Sequence, residues 1–169
     1  MLVMNIQVIS GAGTGSTSLG AFDAALNDAR VANYNLIRLS SVIPPHSTIT
    51  KMPNGANSLP GDWGDRLYVV LAEQRCEKKG EQAWAGIGWV QDNETGKGLF
   101  VEHEGFSEEK VRGDISKSLS DLMKTRGVDF GEISTVVRGV TVEDSPVCSL
   151  VIAVYESSKW QSISEGVEI

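Results

Sequence analysis

The chain has 169 residues, 41% of them hydrophobic and 22% charged, as expected for one soluble domain that can bury a core without disulfides. A net charge of -7 argues against the basic surface that nucleic-acid binding needs. Cys76 and Cys148 are too few and too far apart for a zinc motif or a disulfide framework, which predicts reduced thiols in the cytoplasm. The sequence has neither the ~20-residue apolar run of a membrane helix nor the basic start of a signal peptide.

The first third of the chain predicts a strand, a loop and a helix. Residues 2–9 are apolar and β-branched, as in a strand. Residues 11–18 are rich in glycine but lack the Gly-Lys-Ser/Thr ending of a phosphate loop, so they predict a mobile loop. A helix follows over residues 19–32 with Ser18 as its N-cap. Asp23 lies at the rim of its apolar face, either as a favourable anion near the helix N-terminus or beside a pocket for a cation.

A serine pair stands near the end of the next predicted strand. Residues 35–43 alternate and are β-branched, and two prolines then end the strand because neither can donate a ladder hydrogen bond. Alternation places Asn35 and Ser41 on the same face. At such a junction a serine hydroxyl can be pressed against the preceding carbonyl carbon. On these residues alone, Ser40 and Ser41 are more commonly turn residues that satisfy local backbone groups.

The rest of the chain predicts an α+β fold. Residues 44–65 form a long irregular connection. Alternation and helical periodicity then predict strands at 66–75, 82–90 and 98–103, a helix capped by Ser107 that runs to Arg126 and ends at Gly127, and strands at 133–142 and 148–155. The polar tail, residues 156–169, is predicted to fray. This order predicts a layered αββα sandwich with mainly antiparallel sheets and the helices outside.

Two common catalytic chemistries have little support in the sequence. His46 and His103 are the only histidines and have no metal-like partner at helical or hairpin spacing, which predicts no metal site and an ordinary surface position for His103. No Gly-x-Ser-x-Gly elbow surrounds a serine, so a Ser-His-Asp hydrolase is disfavoured. Self-processing at a serine remains.

Three segments carry a resemblance to a known family. They are Ala21-Phe22-Asp23-Ala24-Ala25-Leu26, Asn33-Tyr34-Asn35-Leu36-Ile37-Arg38-Leu39-Ser40-Ser41-Val42-Ile43-Pro44-Pro45 and Val101-Glu102-His103-Glu104-Gly105. In these segments, and in the order of elements between residues 3 and 155, the chain resembles the pyruvoyl-dependent arginine decarboxylases. The resemblance implies a lyase that converts arginine to agmatine and CO2, in polyamine biosynthesis or acid resistance. It also implies trimers or pairs of trimers with sites between subunits.

The resemblance implies that the chain cuts itself between Ser40 and Ser41. Ser41 Oγ attacks the Ser40 carbonyl carbon and forms an ester, and elimination then leaves a dehydroalanine that hydrolyses with loss of ammonia. The products are a β chain, residues 1–40, and an α chain, residues 41–169, which begins with a pyruvoyl group. Its carbonyl accepts electrons as CO2 departs, so neither a metal nor pyridoxal phosphate is needed.

Three further residues receive roles from the same resemblance. Glu102 is the acid that protonates the substrate after CO2 has left, a role that requires a carboxyl whose pKa is raised by burial. Glu104 shares its strand face, so spacing alone does not separate the two. Asn35 assists self-cleavage, and Asp23 pairs with the substrate guanidinium, a planar fork that suits a carboxylate.

Two alternatives stay open at the level of sequence. One is a pyruvoyl-dependent decarboxylase of another amino acid, such as histidine. The other is a relative that never cuts itself and acts as a binding subunit, although retention of both serines and of Glu102 speaks against it. Residues 46–64 and the tail beyond Tyr155 depart from the family's pattern.

Overall fold

The computed structural model describes residues 3–53 and 59–161. Within these ranges the elements, in chain order, are β1 (Met4–Thr14), α1 (Ser18–Asp28), β2 (Asn35–Arg38), β3 (Val42–Ile43), β4 (Ser47–Lys51), β5 (Arg66–Cys76), β6 (Gln82–Gln91), β7 (Gly98–Gly105), α2 (Glu108–Arg126), β8 (Ser134–Thr141) and β9 (Val147–Ser158). Neither helix is long and apolar enough to cross a membrane.

The strands form two sheets that pack face to face. One sheet has the order β2-β5-β9-β1-β4 and the other the order β3-β7-β6-β8. Pairing is parallel between β1 and β4 and between β2 and β5, and antiparallel between the other neighbours. Helix α1 packs on the outer face of the first sheet and α2 on the outer face of the second. The predicted αββα sandwich with mainly antiparallel sheets is confirmed.

Strand β9 shows why the core lies between the layers. Its residues from Val147 to Val154 are all buried, because both faces of this central strand are covered. Leu150 and Ile152 face α1, whereas Val151 faces the second sheet. Burying one such aliphatic side chain contributes roughly 1.5–3 kcal/mol. A continuous apolar run is therefore the pattern expected here rather than strict alternation.

The first half of the glycine-rich segment near the N-terminus is part of a strand, so the predicted mobile loop is wrong for residues 11–14. β1 continues to Thr14 and pairs with β9 along this stretch. A Cβ on Gly11 would lie 2.2 Å from the Ala25 carbonyl oxygen, and one on Gly13 would lie 2.4 Å from the Ala25 nitrogen. The glycines are needed because α1 lies directly on the strand backbone.

Helix α1 differs from the prediction at both ends. Its N-cap is Thr17 rather than Ser18, and Thr17 Oγ1 accepts a hydrogen bond of 3.0 Å from the Gly20 nitrogen. The helix ends at Asp28 rather than at residue 32, and Arg30 has a positive φ of 58°. The helix ends there because the nitrogens of Arg30 and Val31 donate hydrogen bonds back to the carbonyls of Asn27 and Leu26.

The predicted strand over residues 35–43 is two strands in different sheets. β2 pairs with β5 in the first sheet, and β3 pairs with β7 in the second. The chain crosses between the layers over residues 39–41, where Ser41 has a positive φ of 69°. The alternation that placed Asn35 and Ser41 on one face is therefore broken.

Other boundaries shift less. The irregular connection predicted over residues 44–65 contains β4, which extends the first sheet beside β1, and its residues 54–58 lie outside the described residues. Strand β9 continues to Ser158, so the predicted tail begins later than Tyr155, and its residues 162–169 also lie outside the described ranges. Helix α2 is confirmed, with Ser107 as N-cap and Gly127 as a left-handed C-cap.

Candidate active site

Ser41 is held in a backbone conformation that serine rarely adopts. Its φ of 69° lies in the left-handed region, which costs a residue with a Cβ roughly 1–3 kcal/mol. The Ser41 carbonyl oxygen accepts a hydrogen bond of 2.8 Å from the Phe100 nitrogen. The next carbonyl, that of Val42, accepts one of 3.0 Å from the Tyr155 hydroxyl. The strain persists because these contacts fix the backbone at and after Ser41.

The Ser41 side chain contacts a carboxylate from another strand. Its hydroxyl Oγ donates a hydrogen bond of 2.6 Å to Glu102 Oε1 on β7. Glu102 is half-buried, whereas Glu104 on the same strand face is exposed. The tertiary structure thus separates the two glutamates that sequence spacing leaves equivalent.

Tyr155 is a third member of this cluster that the sequence did not identify. Its ring packs edge-on against Phe100 at a centroid distance of 6.0 Å. Burial raises the pKa of the Tyr155 phenol, and the nearby Glu102 carboxylate raises it further. The phenol therefore stays protonated and donates to the carbonyl of Val42. The position of Tyr155 at the end of the predicted strand over residues 148–155 was the available signal, but nothing in the sequence linked it to the serine pair.

Ser41 and Glu102 line a shallow, open cavity beside β7 and α2. Side chains from α2, among them Ser118 and Asp121, complete the lining. His103 also lines it and is half-buried, with Nε2 hydrogen-bonded to Ser118 Oγ at 2.8 Å. The prediction of an ordinary surface position for His103 is wrong, because α2 packs over this face of β7.

Asp23 and Asn35 lie in a different place. Both line an open groove beside α1, together with Trp63 and Gly64. The Asn35 side-chain nitrogen Nδ2 donates a hydrogen bond of 2.7 Å to the Gly64 carbonyl. Among the described residues no hydrogen bond joins Asn35 to the serine pair, and the groove shares no lining residue with the cavity of Ser41. One chain therefore presents two separate parts: Ser41 with Glu102, and Asp23 with Asn35.

The surroundings of residue 41 fit a pyruvoyl group. Such a group keeps the three carbons of the serine, including the carbonyl that the Phe100 nitrogen holds. At Cα, a ketone oxygen would stand in place of the nitrogen and hydrogen of the serine, and residue 41 lines the cavity. Phe100 and Glu102 are the residues that would hold it, and its carbonyl would supply an electron acceptor for amino-acid chemistry.

The structure is an αββα sandwich in which a strained serine contacts a half-buried glutamate. These features agree with the class to which the sequence resemblance points, the pyruvoyl-dependent decarboxylases. The family model described as pyruvoyl-dependent arginine decarboxylase matches residues 5–160. The chain belongs to this family. It is therefore an enzyme of a decarboxylase family that depends on a pyruvoyl group, and the predicted resemblance is confirmed.

Curated relatives of the same name cover most of the chain. The pyruvoyl-dependent arginine decarboxylase of Halobacterium salinarum is 34% identical over 155 residues, which are 90% of this chain and 94% of the relative. That of Thermoplasma volcanium is 34% identical over 129 residues, 75% of this chain and 69% of the relative. That of Pyrococcus abyssi is 31% identical over 151 residues, 87% and 91% of the two chains. A solved pyruvoyl-dependent histidine decarboxylase aligns over 66% of this chain and 58% of its own, at 15% identity and a TM-score of 0.43.

Proposed function

We propose that this protein cuts itself between Ser40 and Ser41 and then decarboxylates arginine to agmatine. The hydrogen bond of 2.6 Å between Ser41 Oγ and Glu102 Oε1 carries the proposal, since it joins a strained serine to a group that can move its proton. The names of the relatives and the Asp23 carboxylate support arginine as the substrate. We place the enzyme in the cytoplasm.

Self-cleavage needs a base for the Ser41 hydroxyl and an acid for the leaving nitrogen. Glu102 takes the hydroxyl proton as Ser41 Oγ bonds to the Ser40 carbonyl carbon. The amide bond breaks, its nitrogen receives the proton, and an ester joins Ser40 to the side chain of residue 41. Elimination across Cα–Cβ removes the Cα proton and frees the Ser40 carboxylate. Water then hydrolyses the enamine that is left, which releases ammonia and yields the pyruvoyl group.

In decarboxylation, the pyruvoyl carbonyl supplies the electron acceptor for the bond that breaks as CO2 leaves. Glu102 faces the cavity at residue 41 and donates a proton to the substrate carbon that has lost CO2. The Phe100 nitrogen keeps the carbonyl of residue 41 in place. Tyr155 holds the following carbonyl and, because it stays protonated, adds no negative charge beside Glu102.

Asp23 binds the substrate guanidinium, and Asn35 assists self-cleavage. Because one chain keeps these residues in a groove apart from Ser41 and Glu102, we place the complete site between subunits of a trimer or a pair of trimers. In that assembly the groove of one subunit faces the cavity of the next.

The test is intact mass analysis of the purified protein under denaturing conditions. We expect two fragments divided at Ser40/Ser41, with the larger blocked to N-terminal sequencing, and a single chain for Ser41→Ala. Glu102→Gln should slow cleavage by roughly 10²- to 10⁴-fold, since the amide cannot take the proton. Glu104→Gln, on the same strand face but exposed, is the matched control and should cleave normally. An unbroken chain after prolonged incubation would refute the proposal.

A further inference from the structure

An exposed tryptophan stands beside the candidate guanidinium ligand. Trp63 and Asp23 line the same groove. The Trp63 side chain is 80% exposed, more than any other large hydrophobic side chain among the described residues. Single exposed apolar side chains are common in proteins, so the exposure of Trp63 alone does not identify a ligand site. The position of Trp63 in a groove, rather than on an open face, indicates a small ligand.

The loop that carries Trp63 is fixed on both sides of it. The Pro60 carbonyl accepts a hydrogen bond of 2.7 Å from Ser157 Oγ at the end of β9. The Gly64 nitrogen donates one of 2.7 Å to the Asn33 carbonyl. Gly64 has a φ of 84°, which a residue with a side chain would resist. The indole is thus exposed while its backbone is held, so little ordering entropy remains to be lost when a ligand binds.

The charge of the groove favours a cation. Among its lining residues in the described part of the chain, Asp23 carries a negative charge and none is Lys, Arg or His. The adjoining pocket, which shares the indole, adds the Asp62 carboxylate and one cation, the exposed Arg30. Asp23 is exposed and forms no ion pair with another described residue. The other polar groups of the lining are neutral amides and a phenol, such as Asn27 and Tyr34. A planar cation can bind both groups of this groove at once, because its edge donates hydrogen bonds to the carboxylate while its face stacks on the indole.

We propose that Trp63 determines substrate specificity by stacking its indole on the guanidinium that Asp23 binds at the edge. This inference rests on the proposed function, because it assumes that arginine enters the groove. An ammonium such as that of lysine has no flat face and is more strongly hydrated, so it gains less from the same ring. Trp63 therefore favours arginine over lysine, independently of the chemistry at residue 41.

The test compares Trp63→Phe, which keeps an aromatic face, with Trp63→Leu, which does not. For Trp63→Leu we expect the KM for arginine to rise roughly 3- to 30-fold, as loss of a cation–π contact predicts, while kcat and the extent of self-cleavage stay within twofold. Trp63→Phe should retain most of the affinity. The preference for arginine over lysine should be strongest in the unsubstituted protein, weaker in Trp63→Phe and weakest in Trp63→Leu. Phe106→Ala removes another exposed aromatic side chain, 61% exposed and outside the groove, and should leave KM unchanged.

A readout without turnover uses the uncut Ser41→Ala protein titrated with agmatine. We expect a change in tryptophan fluorescence that disappears when Trp63→Phe is added. An unchanged KM for Trp63→Leu, or a fluorescence change of undiminished size with Trp63→Phe, would overturn the inference. Failure of the proposed function is distinct, because the unsubstituted protein would then fail to cut itself or to release CO2 from arginine.

Discussion

At the residue scale, the site depends on one unfavourable backbone angle. Ser41 is held with a φ of 69° by hydrogen bonds at its own carbonyl and at that of Val42. A strained conformation of this kind persists only where the surrounding structure over-determines it. The strained conformation places the Ser41 hydroxyl 2.6 Å from Glu102 Oε1. The residue that lowers the stability of the fold is therefore also the residue proposed to react.

This strain can be measured with two variants that cannot cut themselves. Ser41→Gly should be more stable than Ser41→Ala by about 1 kcal/mol, because glycine adopts a positive φ without a clash of Cβ. The measurement is urea unfolding of both proteins at the same concentration. Equal stabilities would mean that the backbone relaxes and that Ser41 stores no strain.

At the element scale, the turn between β6 and β7 anchors the segment that follows the serines. The Thr95 carbonyl accepts a hydrogen bond of 2.8 Å from the His46 nitrogen, and Gln91 Nε2 donates one of 2.7 Å to the Ser47 carbonyl. Gly96 has a φ of 74°, and a Cβ there would lie 2.8 Å from the His46 nitrogen. The turn and the chain after β3 therefore fit closely.

Asp92 organises this turn and predicts a pH dependence of stability. Its Oδ1 accepts hydrogen bonds from the Thr95 nitrogen at 2.6 Å and from the Glu94 nitrogen at 3.1 Å. These bonds lower the pKa of the Asp92 carboxyl, those from Thr95 most. The stabilisation is present above the unfolded pKa of about 3.9 and is lost as the pH falls through the folded value.

We therefore expect Asp92→Asn to lower the unfolding free energy at pH 6, and the difference from the unsubstituted protein to shrink as the pH falls below about 4. Thermal or urea unfolding at several pH values checks this. Glu94→Gln, in the same turn and exposed, is the control. A difference that is constant across this pH range would show that the charge of Asp92 does not matter.

At the scale of the whole molecule, the fold keeps the two parts of the proposed site on different layers. Asp23 belongs to α1, outside the first sheet, whereas Glu102 belongs to β7 of the second sheet. The crossing of the chain over residues 39–41 connects the layers but brings Ser41 only to Glu102. If Asp23 and Glu102 act on the same substrate molecule, the site must lie between two subunits.

Mixing two inactive variants tests this arrangement. Asp23→Asn should cut itself but turn over arginine poorly, and Ser41→Ala should keep Asp23 but form no pyruvoyl group. Reassembled together, roughly a quarter of the sites should combine an intact Asp23 from one subunit with a cut residue 41 from the other. The measurement is CO2 release from arginine after co-refolding or co-expression. Activity no greater than that of Asp23→Asn alone would place the whole site within one chain.

The sequence by itself determined the layers and the long helix, because alternation, helical periodicity and caps such as Ser107 and Gly127 are local signals. Likeness to a family pointed to Ser41 and Glu102. Only the tertiary structure decided that residues 35–43 divide between two sheets, since a local pattern does not reveal which partner strand offers the better pairing. It also decided the burial of His103 and the groove of Trp63, because each depends on contacts between residues far apart in the chain.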